Sequence, residues 1–268
     1  MAHLTDLHVG RVTPFGIQKL AVTLTNESRP DLVVITGDFV CHSQAYLDQL
    51  SEVVASFHAP TLCVLGNHDY WSGATEVRQA LLRAGAAVLS NEHTMLELRG
   101  QQLQVVGLDD SYTGHADVQA ATRGLRRDVP TLGLSHIAED AEALWARGVS
   151  LVLSGHTHAG QVTLARLNEI AIGRLAGHKY VHGLYGDRTS GAVYVGAGVG
   201  ASVIPVRLGE RGRREVTLFE LGHAPGSFLE PFGEQPPGNG RKPSARLQYL
   251  RAAKVIKKEQ RRNRQRRG

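Results

Sequence analysis

Cysteine is close to absent from this chain of 268 residues, with Cys41 and Cys63 as its only two thiols. Two thiols cannot build a disulfide framework, which excludes the small stapled secreted folds and points to a reducing compartment. Aromatic residues are scarce at 6%, and charged residues make up 21% against 42% apolar. That balance is too apolar for a disordered chain and too polar for a membrane-embedded one. Long hydrophobic runs are missing as well: the longest weakly charged stretch, Ala192 to Val206, is broken by Gly196, Gly198, Gly200 and Pro205. It falls short of the roughly 20 apolar residues that a spanning helix needs. Nor does a basic segment followed by an apolar core, the mark of a signal peptide, follow Met1. The expected location is the cytoplasm, with peripheral contact at a membrane. Only five residues precede Asp6, so the first strand is expected to be stubby, or the polypeptide to start upstream of Met1.

Charge is unevenly spread. From Arg241 to Arg267 there are twelve Lys or Arg and one acid, Glu259, a local charge of +11. Removing them from the 30 basic and 25 acidic residues of the whole chain leaves 18 and 24, or −6 for the body. The excess of basic residues therefore belongs to the tail, and nucleic-acid affinity cannot be read from it for the body. For the tail, residues 244–268, three readings stand: a basic helix drawn to an anionic membrane surface, an arm that holds nucleic acid, or a disordered solubilising end.

Short apolar runs alternate with helical patterns over residues 1–222, the pattern of a layered α/β domain. Leu32 to Thr36, Thr61 to Leu65, Leu103 to Gly107, Thr131 to Ser135 and Leu151 to Ser154 read as buried strands, with Ala192 to Val195 and Val216 to Phe219 as further candidates. Ile17, Leu20, Ala21 and Leu24 recur at helical spacing, as do Leu47, Leu50, Val54 and Phe57, and then Val77, Leu81 and Leu82. Each set is expected to form the inward face of a covering helix. A Pro- and Gly-rich linker is expected over residues 223–243.

Several of the thirteen histidines stand where expected strands end, among Asp, Asn and Gly. Asp6-Leu7-His8, Gly37-Asp38, Gly66-Asn67-His68-Asp69, Ser135-His136 and Gly155-His156-Thr157-His158 form an ordered series of such ends. Ligand sites in α/β sheets gather at the carboxyl ends of strands. In extended backbone, residues two apart point the same way, so Asp6 with His8, and His156 with His158, can each aim two ligands at one point. Any one fragment reads equally as a strand-end turn. Five such fragments, all offering N or O donors, are a specific signal.

As a set, Thr5-Asp6-Leu7-His8, Thr36-Gly37-Asp38, Leu65-Gly66-Asn67-His68-Asp69, Leu134-Ser135-His136 and the run from Ser154 to Gln161 resemble the calcineurin-like metallophosphoesterases. The His-Thr-His-x-Gly-Gln element and the stretch Tyr180 to Pro205 are closest to the small bacterial phosphodiesterase-like branch. The resemblance implies a four-layer αββα sandwich with two mixed β-sheets, holding two divalent metal ions from among Mn, Fe and Zn. By position it implies Asp6, His8 and His158 on one metal, Asn67, His136 and His156 on the other, and Asp38 between them. It further implies hydrolysis of a phosphoester, lipid-linked or nucleotide-linked, by a metal-bridging hydroxide. His68 then assists the leaving group, with Asp69 orienting the His68 ring; the alternative for Asp69 is a loop or helix cap. Ala159 and Ala138 stand where relatives often carry Gly and Pro, departures that bear on pocket shape and remove no ligand.

Two rivals follow from the same resemblance. Nucleases of the superfamily usually carry a second acid three residues after the Gly-Asp aspartate, and Cys41 holds that position here. A non-catalytic scaffold typically lacks ligands, and none is lacking. The remaining histidines, His3, His42, His58, His93, His115, His178, His182 and His223, are expected to be solvated or packed, with His178 and His182 nearest a pocket rim. Cys41 and Cys63 are expected as small buried side chains.

Overall fold

A computed structural model describes residues 1–160, 178–187, 191–201, 207 and 213–222. The linker, the basic tail, His223 and Gln161 lie outside these described residues. In the first sheet β1 (Ala2–Leu4), β2 (Val33–Thr36), β3 (Thr61–Val64) and β4 (Ala87–Val88) are parallel, and β11 (Thr217–Leu218) joins β1 antiparallel, in the order β11, β1, β2, β3, β4. The second sheet comprises β5 (Glu92–Leu98), β6 (Gln101–Gly107), β7 (Thr131–Leu134), β8 (Leu151–Ser154), β9 (Gly183–Asp187) and β10 (Gly191–Val195). Its order is β5, β6, β7, β8, β10, β9, parallel through the middle and antiparallel at both edges. Both sheets are mixed, as expected.

The short strands alternate their side chains between two cores. Val33 and Ile35 face one side, with Ala21 and Val22 of α1 (Phe15–Glu27), Leu50 and Val54 of α2 (Leu47–Ala55), and Val77 and Leu81 of a later helix at Ala74–Arg83. Val34 and Val64 face the other, where Leu132, Leu134, Leu153 and Tyr194 of the second sheet meet them. A third core lies beyond the second sheet, joining Val106, Val152 and Val193 to Ala121, Ala141 and Leu144 of two short helices, Val118–Ala121 and Ala141–Trp145. Three cores between four layers make the αββα sandwich.

Two helical faces differ from the sequence reading. Leu20 and Leu24 are exposed, and α1 buries Gln18, Ala21, Val22 and Thr25 instead. The polar pair is tolerated inside because Gln18 Nε2 donates to Leu7 O at 3.1 Å and Thr25 Oγ1 to Ala21 O at 2.7 Å. Likewise Leu82 is exposed and Ala80 takes its place in the core. No described helix is long and apolar enough to cross a membrane.

Register places the site. Leu4 pairs with Ile35 and Ile35 with Cys63, while Leu134 pairs with Leu153. The carboxyl ends of β1, β2 and β3 are therefore level, as are those of β7 and β8.

Candidate metal centre

All seven side chains expected as metal ligands come together in the loops that leave these five strands. Asp6 and His8 follow β1, Asp38 follows β2, Asn67 opens α3 (Asn67–Ser72) after β3, His136 follows β7, and His156 and His158 follow β8. Their backbone is not extended. Asp6, His8, Asp38, His156 and His158 all have positive φ, between 42° and 73°. Left-handed turns, and not strand alternation, bring the paired side chains of Asp6 with His8 and of His156 with His158 together. Such residues cost of order 1–3 kcal/mol each and persist where surrounding bonds over-determine them. Here Asp6 N donates to Gly37 O, His8 N to Asp38 O, Gly200 N to Asp6 O and His156 N to Asp6 Oδ2. Gly37 sits at φ +84°, and a Cβ there would come 2.6 Å from His136 Nδ1 and 2.8 Å from Gly66 N.

The donor atoms form two clusters that share Asp38. In the first, His8 Nε2 lies 3.0 Å from His158 Nε2, 3.7 Å from Asp6 Oδ1 and 3.5 Å from Asp38 Oδ2, and His158 Nε2 lies 3.3 Å from Asp6 Oδ1. In the second, His136 Nε2 lies 3.4 Å from Asp38 Oδ1, 3.2 Å from Asn67 Oδ1 and 3.3 Å from His156 Nδ1. Ligands about 2.1 Å from a tetrahedral cation stand about 3.4 Å apart. Both clusters have that spacing, and Asp38 gives one oxygen to each.

The outward atoms of His136 and Asp6 are tied down, while His8 Nδ1 is buried without a hydrogen-bond partner. His136 Nδ1 donates to Thr36 O at 2.8 Å, which leaves Nε2 with its lone pair toward the centre. Asp6 Oδ2 accepts from Thr5 Oγ1 at 2.8 Å, whereas the fully buried Asp6 Oδ1 has no hydrogen-bond partner. An orphaned carboxylate oxygen among facing ring nitrogens fits a cation and is costly without one.

Electrostatics follow from the crowding. Burial opposes ionisation of Asp6 and Asp38, but neighbouring imidazoles outweigh it and hold both carboxyls well below the usual range. Burial also opposes protonation of His8 and His136, yet without a metal ion the neighbouring carboxylates, Asp6 beside His8 and Asp38 beside His136, raise them to about 10. His158 and His156 go the other way: burial lowers His158 to about 4 and His156 well below its ordinary value.

His68 stands beside the ligands, with Nε2 4.0 Å from Asp38 Oδ2. Burial pushes its imidazole down to about 3. The expected hydrogen bond from this ring to the Asp69 carboxylate is not formed, because both carboxylate oxygens of Asp69 are engaged elsewhere. Oδ1 accepts the N–H groups of Phe39 and Val40, and Oδ2 that of Gly66. Asp69 thus caps α3 and clamps the Asp38 loop, the alternative the sequence left open, while His68 Nδ1 is buried without a hydrogen-bond partner.

Some neighbours were not legible in advance. Cys63 is buried as expected, but Cys41 is partly exposed, with its Sγ within 4.8 Å of ring nitrogens of His8 and His68. The rings of His42 and Trp71 lie 4.4 and 4.8 Å from that of His68, and Tyr112 lies 5.1 Å from His156. Arg207 Nη2 is 3.1 Å from His158 Nδ1. Helical spacing of three from His68 could have marked Trp71; nothing in the sequence marks Tyr112 or Arg207.

A profile of the calcineurin-like phosphoesterases matches residues 1–160. The chain is 31% identical to the uncharacterized metallophosphoesterase YkuE of Bacillus subtilis, over 82% of this chain and 78% of that one. It is 32% identical to the phosphodiesterase YaeI of Escherichia coli, over 81% and 80%. A 5′-nucleotidase precursor from Thermus thermophilus superposes with a TM-score of 0.50 at 13% identity, over 97% of this chain and 58% of that one, a likeness of fold. The chain belongs to the calcineurin-like phosphoesterase family and is a phosphoric ester hydrolase. Membership implies divalent metal ions, and the two clusters around Asp38 are side chains that could hold them.

Proposed function

We propose that this enzyme is a dinuclear metal-dependent phosphodiesterase. The observation that carries the reading is the shared aspartate: Oδ2 of Asp38 belongs to the cluster of Asp6, His8 and His158, and Oδ1 to that of Asn67, His136 and His156. Mn, Fe and Zn all suit such mixed imidazole, carboxylate and amide donors. Two divalent ions held there would supply positive charge for a phosphoryl group and lower the pKa of water from 15.7 toward about 7.

The chain's own residues set what those ions can do. Asp6 and Asp38 carry only two negative charges, and imidazole and amide donors bind a metal in their neutral forms, so with two divalent ions held the centre would stay cationic and attract an anionic ester. His68, which burial keeps neutral, would donate a hydrogen bond from Nε2–H to the oxygen that leaves. Asp69 keeps His68 and Asp38 in register through the backbone. A nuclease reading is disfavoured by Cys41 in place of a second acid, and a scaffold reading by the complete ligand set. Lipid-linked and nucleotide-linked esters, cytoplasmic location and contact of the tail with anionic membrane or nucleic acid belong to this proposal.

The test is hydrolysis of bis(p-nitrophenyl) phosphate and p-nitrophenyl phosphate by chelator-treated protein with Mn, Fe or Zn restored. Turnover that returns with metal and favours the diester is expected; a monoester preference overturns the diesterase assignment.

A further inference from the structure

We propose that Cys41, His68 and His8 form a site for a soft monovalent cation, Cu(I), which competes with the metal centre for His8. The inference goes beyond the phosphodiesterase reading and is decided by metal content.

Two loops running side by side build the site. Val9 N donates to Phe39 O at 2.8 Å and Cys41 N to Val9 O at 3.4 Å, so the run that leaves β2 is laid along the run that leaves β1. Cys41 comes to rest beside His8. His68, near the start of α3, closes the third side, its ring edge-on to that of His8 at 4.8 Å and 81°. Cys41 Sγ and one ring nitrogen each of His8 and His68 lie within 4.8 Å of one another. The nitrogens left for such a site are the two Nδ1 atoms. Both are buried without a hydrogen-bond partner, in a His8 that is fully buried and a His68 that is 9% exposed. Their Nε2 atoms are turned to the metal centre, His8 Nε2 at 3.5 Å and His68 Nε2 at 4.0 Å from Asp38 Oδ2.

The donor set selects the ion. Among the described residues this is the one cluster of metal-binding side chains without a carboxylate, for the other two each contain Asp38. One thiolate with two imidazoles suits a soft ion, Cu(I) foremost, whereas a harder ion such as Mn prefers oxygen donors. Cys41 is partly exposed and Cys63 fully buried, so an ion arriving from solvent meets the Cys41 thiol. A neutral imidazole has one lone pair. When His8 serves the metal centre through Nε2, its ring proton stays on Nδ1; when it takes Cu(I) on Nδ1, that proton moves to Nε2 and faces the Asp6, Asp38 and His158 donors. The Cys41 thiol passes its proton to solvent as the sulfur–copper bond forms. His8 therefore holds one ion at a time, and copper displaces the ion of the first cluster.

The experiment adds one equivalent of Cu(I), kept reduced by ascorbate under nitrogen, to the Mn-loaded full chain. Copper and manganese are counted by elemental analysis after desalting, and Cu(I) affinity is measured against a chromophoric chelator. One copper per chain is expected, with manganese falling from two ions to one and hydrolysis of bis(p-nitrophenyl) phosphate lost with it. Loss of even an outer partner of a ligand costs about 10- to 100-fold in metal affinity, so Cys41→Ser and His68→Ala should each weaken Cu(I) binding at least about tenfold. The Cys41→Ser protein should keep both manganese ions when copper is added, and Cys41→Ala serves if it does not fold. A chain that takes up no copper overturns the inference. So does a folded His68→Ala protein that binds Cu(I) as tightly as the wild type, the mark of a lone thiol, and so does copper bound with both manganese ions retained, which leaves His8 out of the site. If the chain holds no manganese or hydrolyses no phosphoester, the phosphodiesterase reading fails by itself, and Cu(I) affinity in the wild type and the two variants still decides the site.

Discussion

Asp69 Oδ1 accepts the backbone N–H of Phe39 at 2.8 Å, which ties the helix carrying His68 to the loop carrying Asp38. The same carboxylate also accepts the amides of Val40 and Gly66. Three buried donors depend on one side chain, so Asp69 sets the distance between Asp38 and His68 without a hydrogen bond to the His68 ring.

Asp69→Ala strands those donors. Each buried N–H left unpaired costs about 1–3 kcal/mol, so the variant should lose about 3 kcal/mol or more of stability along with bound metal. Urea melts and metal analysis check this. An Asp69→Ala protein that melts like the wild type and keeps its metal, losing only turnover, would return Asp69 to the role of a catalytic orienter.

Asp38 and His68 should separate cleanly. Asp38→Ala removes a donor from both clusters and is expected to abolish metal content and hydrolysis alike. His68→Ala should keep the metal while turnover drops about 10²- to 10⁴-fold. Metal analysis beside steady-state kinetics tells the two apart, and equal metal loss in both variants contradicts the division.

Gly37→Ala should be as damaging as loss of a ligand, though the residue contributes no donor atom. Its φ of +84° disfavours any side chain, and the added carbon would press on His136 Nδ1, which holds the ring through Thr36 O. Soluble Gly37→Ala protein with wild-type metal content and Tm would show that this approach is looser than described.

His3 predicts an acid-sensitive component of stability. Burial lowers its pKa from 6.5 to about 4, and Nε2 is bonded to Thr36 Oγ1 at 2.8 Å. Above about pH 6.5 neither folded nor unfolded protein carries this proton. As pH falls from there toward 4 only the unfolded chain gains it, so folding loses about 1.4 kcal/mol per pH unit in that window. His3→Gln should flatten the decline between pH 6 and 4.5 by up to about one proton's worth. Parallel slopes for wild type and variant contradict it.

The convergence of these side chains was readable because metal chemistry demands particular donors, and Asp, His and Asn cannot be exchanged for neighbours of similar size. Buried strands were readable for a related reason, since Val33, Val34 and Ile35 fill two cores at once. What escaped depends on partners that a sequence does not display. Gln18 and Thr25 can face inward only because Leu7 O and Ala21 O are there to receive them. The edge strand β5 alternates exposed and half-buried positions without an apolar run, and so left no signal. The left-handed backbone at Asp6 and His8 is imposed by the loops of other strands. Asp69 followed His68 too closely in sequence for its true partners, thirty residues earlier at Phe39, to be inferred.

Metal stoichiometry of the purified full chain, read by elemental analysis and paired with hydrolysis of bis(p-nitrophenyl) phosphate, tests the central claim most directly. Two divalent ions per chain are expected, with activity lost when both are stripped and regained when they return. A chain that takes up no ion in excess Mn, Fe or Zn, or that hydrolyses the diester equally well without any, would contradict the account.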